Sequence, residues 1–324
     1  MRARVSPLGL LVVVAFQTGC ALSTHPHAPA SAGAPSRGRE LLAVLDVPGP
    51  VAVETVVSAE WEVPREGLLN LDHPKAKAAG LKPGDEAIEV DFHLVSHPTK
   101  GAYLVDTGFE RALRDDPGHA AMRGVLASFL HVDKMKFRAP LGEWLAARRA
   151  PVVGVFLTHA HLDHVGGMRD VPRAAFVYTG PDELGTRAFQ NLVVQGNTDR
   201  ALEGLGPVGE WRFSPDPDGL FDGVIDVFGD RTLFALWVPG HTVGSTAYLA
   251  RTPKGPVLLA GDACHTVWGW DHGVEPGEFS EDRPRSAVSL ERLRALSRSH
   301  PGLDVRLGHQ RRSPAEPNVG PPRG

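Results

Sequence analysis

Apolar and polar residues alternate through Ile88, Val90, Phe92 and Leu94, the period of a strand with one face on a core and one toward water. Farther along, apolar positions run together instead. Stretches at 102–105, 152–157, 233–238, 257–260 and, less cleanly, 303–307 have the length and composition of buried strands. Three segments follow a helical pattern: 110–130, 139–149 and 286–299. The last carries Leu290, Leu293 and Leu296 at helical spacing, with Ser286 as its expected N-cap. Residues 195–230 are rich in Gly, Asp and Pro and predict loops with one short strand. Strands alternating with helices predict an α/β architecture of two sheets packed together and covered by helices.

Each buried run after residue 100 stops at a polar residue. "YLVDTG" ends in Asp106, "LWVPGH" in His241, "VLLAGD" in Asp262 and "VRLGH" in His309. "VFLTHAHLDH" ends in His159, His161, Asp163 and His164 within six positions. Strand ends in a layered fold gather along one edge, so these groups can converge across 150 residues of chain. Imidazoles and carboxylates meeting at one point describe a transition-metal site, most often zinc, and without a cation such a cluster is costly to bury. Chance yields H-x-H-x-D-H in roughly 0.002 of chains of this composition. A capped loop with merely exposed histidines is therefore the weaker reading.

The ordered set His159-x-His161-x-Asp163-His164, His241, Asp262 and His309 resembles that of the metallo-β-lactamase superfamily over residues 85–310. The resemblance implies an αββα sandwich of two mixed β-sheets flanked by helices, with a two-metal site on its edge. It implies that His159, His161 and His241 hold the first ion. Asp163, His164 and His309 would hold the second, and Asp262 would bridge both. Two Zn²⁺ are the expected cofactors, other first-row divalent metals being possible occupants. Paired ions lower the pKa of a shared water toward about 7 and polarise an ester-like or phosphoryl centre. Asp106 in "DTG" matches the superfamily's first motif and is either an outer partner that orients a histidine ring or a turn residue.

Within that superfamily, β-lactamases usually lack the histidine at position 164 and often carry cysteine in place of Asp262, which disfavours β-lactams. Flavodiiron proteins carry glutamate in place of His161, which argues against redox use. The portion 233–310 resembles N-acyl-homoserine lactonases, where a tyrosine three residues after the bridging aspartate helps bind the lactone carbonyl. His265 stands there in this chain. It either donates the same hydrogen bond or is a loop histidine. The candidate catalytic residues are thus Asp163, Asp262 and His265, and the expected reaction is hydrolysis of a small lactone or related ester. A phosphotriesterase-like hydrolase and an inactive metal-binding lipoprotein are the competing readings. Cys264 reads as a small buried filler rather than a soft ligand. Trp268 and Trp270 read as an aromatic rim or as loop packing. The apolar face of 125–137 reads as a core helix, an acyl-chain pocket or a homodimer surface.

Composition adds the surroundings. With 324 residues, 42% hydrophobic and 22% charged, the chain can bury a substantial core. A formal charge of −4 argues against a nucleic-acid partner. Arg2 and Arg4, the apolar run Leu8 to Phe16 and the ending Gly19-Cys20 resemble a lipoprotein-type signal peptide over 1–20, with Gln17 a departure from the usual aliphatic residue. Residues 21–40 read as a flexible linker, in which His25 and His27 are solvated, and 41–324 as the hydrolase domain. These features lead us to expect export as an outer-membrane lipoprotein, with membrane contact through lipid on Cys20 alone. No disulfide is then available to the chain, since Cys264 is the one other cysteine.

Overall fold

The alternation around Ile88 forms the strand Asp85–His97, with Ile88, Val90 and Phe92 buried. It lies antiparallel to Ala52–Pro64 on one side and to Gly101–Val105 on the other. Val152–Phe156, Phe176–Thr179, Val208–Glu210 and His27–Pro29 then follow in parallel, and Lys136–Phe137 ends the opposite edge. A second sheet runs in the order Asp304–Arg306, Gly255–Leu259, Thr246–Thr252, Leu233–Trp237, Val224–Asp226, Ala34–Ser36. Its pairings are antiparallel but for the parallel Asp304–Arg306 edge. This is a computed structural model, and it describes residues 19–148 and 151–312.

Apolar side chains sort into three layers. Between the sheets, Val95, Val105, Phe156, Tyr178 and Trp211 meet Ala235, Tyr248 and Leu259. On the outer face of the first sheet, Phe92, Leu104 and Val155 pack with Val165, Met168 and Leu202. On the outer face of the second, Phe234, Leu249 and Leu258 take Leu290, Leu293 and Leu296 of the helix Arg283–Ser299. Helices cover both outer faces, which gives the expected αββα sandwich.

Several local expectations change. Residues 21–40 are not a free linker. Ser23 and Thr24 hydroxyls donate to Asp199, His27–Pro29 joins the first sheet, Ala34–Ser36 joins the second, and Gly38–Leu45 is a helix that buries Leu41 and Leu45. These short strands add to sheet edges through backbone pairing, which needs no apolar period. The expected signal peptide lies outside the described residues up to position 18, while Cys20 pairs with Ala188 in a two-stranded ribbon. Segment 110–130 is not one helix: Arg111–Asp115 and Val125–Phe129 are separate single turns, divided by Pro117-Gly118 and by Gly124 at φ 72°. Val125 and Phe129 are exposed, so that stretch is no core helix, whereas Val132 and Met135 are buried. The helix Asn191–Leu202 runs into the stretch 195–230 that was expected to form loops with one short strand. The long final helix starts three residues early, at Arg283: the Asp282 side chain accepts from Arg285 N, Pro284 fits the first turn, and Ser286 is buried inside.

One polar chain crosses the inter-sheet layer. Trp211 Nε1 donates to Tyr248 Oη (2.9 Å), which donates to the carbonyl of Leu157 (3.0 Å), two residues before His159. Tyr248→Phe removes the hydroxyl and leaves a buried indole N–H and a buried carbonyl without it. The expected cost is about 1–3 kcal/mol in denaturant unfolding. A variant as stable as the parent would contradict this role.

Candidate metal centre

The strand Val152–Phe156 delivers Leu157 into the core and turns at Thr158. That turn is fixed from below by Asp106, a left-handed residue (φ 58°) at the end of Gly101–Val105. Asp106 Oδ1 accepts from Thr158 N, and Oδ2 accepts from the Thr158 hydroxyl, both at 2.8 Å. His159 and His161 follow, and Asp163 and His164 lie in the single turn Leu162–Val165. His241 comes from the loop after Leu233–Trp237, Asp262 from the turn Gly261–Ala263 behind Gly255–Leu259, and His309 from the end of Asp304–Arg306. Gly308 packs so closely on Asp262 that a Cβ would overlap the carboxylate, so "RLGH" needs its glycine.

All seven expected ligands come together. His159 Nε2 lies 3.2 Å from His241 Nε2, which lies 3.0 Å from His161 Nδ1. Asp163 Oδ2 lies 3.3 Å from His309 Nε2 and 3.5 Å from His164 Nε2. Between these groups sits Asp262 Oδ2, 3.2 Å from His309, 3.4 Å from His164, 3.5 Å from His241 and 3.7 Å from His159. Within each group the ligand atoms are all within 4.8 Å of one another. Metal–ligand bonds of about 2.0–2.2 Å place adjacent ligand atoms at separations of this order. His164 Nε2 and Asp262 Oδ1 are buried without any hydrogen-bond partner, which a divalent cation would relieve. The donor set fits divalent metal.

Electrostatics agree. Burial, with the neighbouring His164 and His161, holds His159 well below the usual histidine range. Burial and His161 do the same to His241, and burial lowers His161. These three present lone pairs. For His164 and His309 burial opposes the charge, but carboxylates outweigh it: Asp262, Asp106 and Asp163 raise His164 well above its ordinary value. Asp262 and Asp163 push His309 up to about 10. Burial likewise opposes ionisation of Asp262, yet His309, His265 and His164 hold it well below the usual carboxylate range. The carboxylates thus favour positive charge at His164 and His309, which a divalent cation held there would supply in place of protons.

The outward nitrogens are also held. His164 Nδ1 donates to Asp106 Oδ2 (2.9 Å), so Asp106 orients a ring. His309 Nδ1 donates to the carbonyl of Glu89 (3.0 Å), and His241 Nδ1 lies 3.2 Å from Ser280 Oγ. His265 is buried beside the cluster, with Nδ1 donating to Leu68 O (2.8 Å) and Nε2 3.1 Å from Asp262 Oδ2. Cys264 is a buried filler whose thiol burial pushes up to about 12. Trp270 packs in the core, while Trp268 stacks on His272.

The sequence gives no sign of Glu183, which ties the two loops of the first group. Its Oε1 accepts from Ala160 N (2.7 Å), between His159 and His161; its Oε2 accepts from Thr242 Oγ1 (2.7 Å) and Gly244 N (3.0 Å), just past His241. Burial raises its pKa to about 7. Because that exceeds the ordinary value of 4.5, the folded state retains the proton longer. The stability this contributes is complete below about 4.5 and is lost as pH rises through about 7. Glu183→Gln should destabilise the protein, and its deficit against the parent should shrink between pH 5 and pH 7.5. A deficit that grows with pH in denaturant titrations would contradict a buried, proton-retaining Glu183.

Known proteins share this arrangement of chain. The sequence model of the metallo-beta-lactamase superfamily matches residues 89–305. The N-acyl homoserine lactonase AttM of Rhizobium johnstonii is 30% identical over 236 residues, covering 69% of this chain and 83% of that relative. AttM of Agrobacterium fabrum is 30% identical over 228 residues, with the same coverage. Among solved structures, a quorum-quenching N-acyl homoserine lactone lactonase superposes with a TM-score of 0.56 at 17% identity, covering 82% of this chain and 93% of that one. A probable metal-dependent hydrolase from Staphylococcus aureus superposes with a TM-score of 0.58 at 13% identity, covering 81% and 90%. The chain belongs to the metallo-beta-lactamase superfamily.

Proposed function

We propose that the protein is a two-metal hydrolase that opens lactones. The observation that carries this reading is the convergence of two ligand groups on one carboxylate oxygen, Asp262 Oδ2. Relatives 30% identical over two thirds of the chain are N-acyl homoserine lactonases, which supports a cyclic ester as substrate.

His159, His161 and His241 would hold one ion and Asp163, His164 and His309 the other, with Asp262 shared. Zinc suits this imidazole-rich set. Divalent ions so held supply Lewis acidity and an activated water at neutral pH. The chain's own part is placement. Asp106 holds the His164 ring through Nδ1, Thr158 and Glu89 hold those of His159 and His309, and Glu183 holds the first group's loops in register. His161 and Asp163 are the partly exposed members of the cluster, so substrate approaches from their side. A lactone suits such a site because its leaving oxygen stays tethered as the ring opens.

The test is the ratio of kcat/KM for an acyl-homoserine lactone or simple γ-lactone to that for an aryl phosphotriester, on one zinc-loaded preparation. A ratio above one is expected, and Asp262→Ala should lower lactone kcat/KM by at least about 100-fold, beyond the usual effect of losing an outer partner. A ratio below one would give first place to phosphotriesters. Undiminished activity in Asp262→Ala would contradict the shared carboxylate.

A further inference from the structure

His265 was expected to donate a hydrogen bond to a lactone carbonyl or to be a loop histidine, yet its surroundings are those of a ligand. Its Nδ1 faces the Leu68 carbonyl at 2.8 Å. A carbonyl cannot donate, so Nδ1 carries a proton, and a ring protonated there alone presents a lone pair at Nε2. That lone pair points at another acceptor, Asp262 Oδ2, 3.1 Å away. Two acceptors hold this separation only with a proton or a cation between them.

His309 shows the same construction: Nδ1 on the Glu89 carbonyl, and Nε2 3.2 Å from the same Asp262 oxygen. The two rings lie nearly parallel, with centroids 5.5 Å apart and planes 23° apart. A ring nitrogen tied to a main-chain carbonyl, leaving the other free to coordinate, is the usual dress of a metal-bound histidine. Ligand atoms of His241, Asp262 and His265 fall within 4.8 Å of one another. His265 is also 1% exposed, as enclosed as the expected ligands His159 and His241.

We propose that His265 is an eighth ligand of the metal centre, coordinating through Nε2 the ion held by His241 and Asp262. The proposal rests on the two-metal reading above. It replaces the expected hydrogen bond to a lactone carbonyl, because a lone pair given to a metal cannot donate a proton. It also joins His265 to His241 and Asp262 in one ligand group, and imidazole ligands favour zinc, nickel or copper over manganese.

Cobalt-substituted protein tests this by proton NMR. Each imidazole bound through Nε2 contributes one hyperfine-shifted, exchangeable Nδ1–H resonance. His265→Gln should remove one such resonance, leave the others, and weaken binding of one of the two ions by about tenfold or more. His265→Tyr serves as the second variant, and provides the answer should the glutamine protein fail to fold. Two ions in the parent with no resonance lost in either variant would overturn the assignment of His265 alone. A parent that binds no cobalt would overturn the metal centre together with it.

Discussion

One carboxylate oxygen organises the molecule. Asp262 Oδ2 is buried with five imidazole nitrogens within 3.7 Å, drawn from four separate stretches of chain. An ionised carboxylate so deep in protein is destabilising unless opposite charge meets it, and neutral imidazoles facing one another at 3.0–3.2 Å repel unless something positive sits between them. The carboxylates raise His164 and His309 toward the charged form, and divalent ions held by this donor set would supply the balancing charge in full. The metal centre is thus the solution to an electrostatic problem that the fold itself creates.

The sandwich makes that concentration sustainable. Strand ends are stiff, and each ligand loop leaves one directly or within a few residues, so the rings arrive with little freedom to disperse. Their positions are then fixed by groups that touch no metal: Asp106 under Thr158 and His164, Glu183 across the loops at 160 and 242–244, and main-chain carbonyls of Glu89 and Leu68. Gly308 lets the final strand approach Asp262 closely. Even the inter-sheet core participates, since Tyr248 reaches the carbonyl of Leu157 just ahead of the histidine loop. Pre-organisation of this kind is what allows a site to bind metal tightly and hold its geometry through a reaction.

The ligands were legible in the sequence because coordination chemistry restricts them to few residue types and the H-x-H-x-D-H loop compresses four into six positions. The strand around Ile88 and the buried runs were legible for the same kind of reason, a strong period or an unbroken apolar stretch. What stayed hidden is held by the backbone or by partners far apart in sequence. The strands His27–Pro29 and Ala34–Ser36 add to sheet edges with His, Ala, Pro and Ser, which carry no period. Ala52–Pro64 carries its valines at 53, 56, 57 and 63, without alternation, and shifts register between Val57 and Ala59. Glu183 looks like any loop carboxylate until Ala160 and Gly244 are brought to it. For His265 the residue type and position were visible, but which ring nitrogen carries the proton depends on the Leu68 carbonyl, 197 residues away in the chain.

The most direct test of the account is a crystal of the metal-loaded protein measured at the absorption edge of the bound metal. Two anomalous peaks about 3.5–4 Å apart are expected, one among His159, His161 and His241 and one among Asp163, His164 and His309, with Asp262 Oδ2 between them. A single peak, or peaks that leave Asp262 outside both coordination shells, would contradict it.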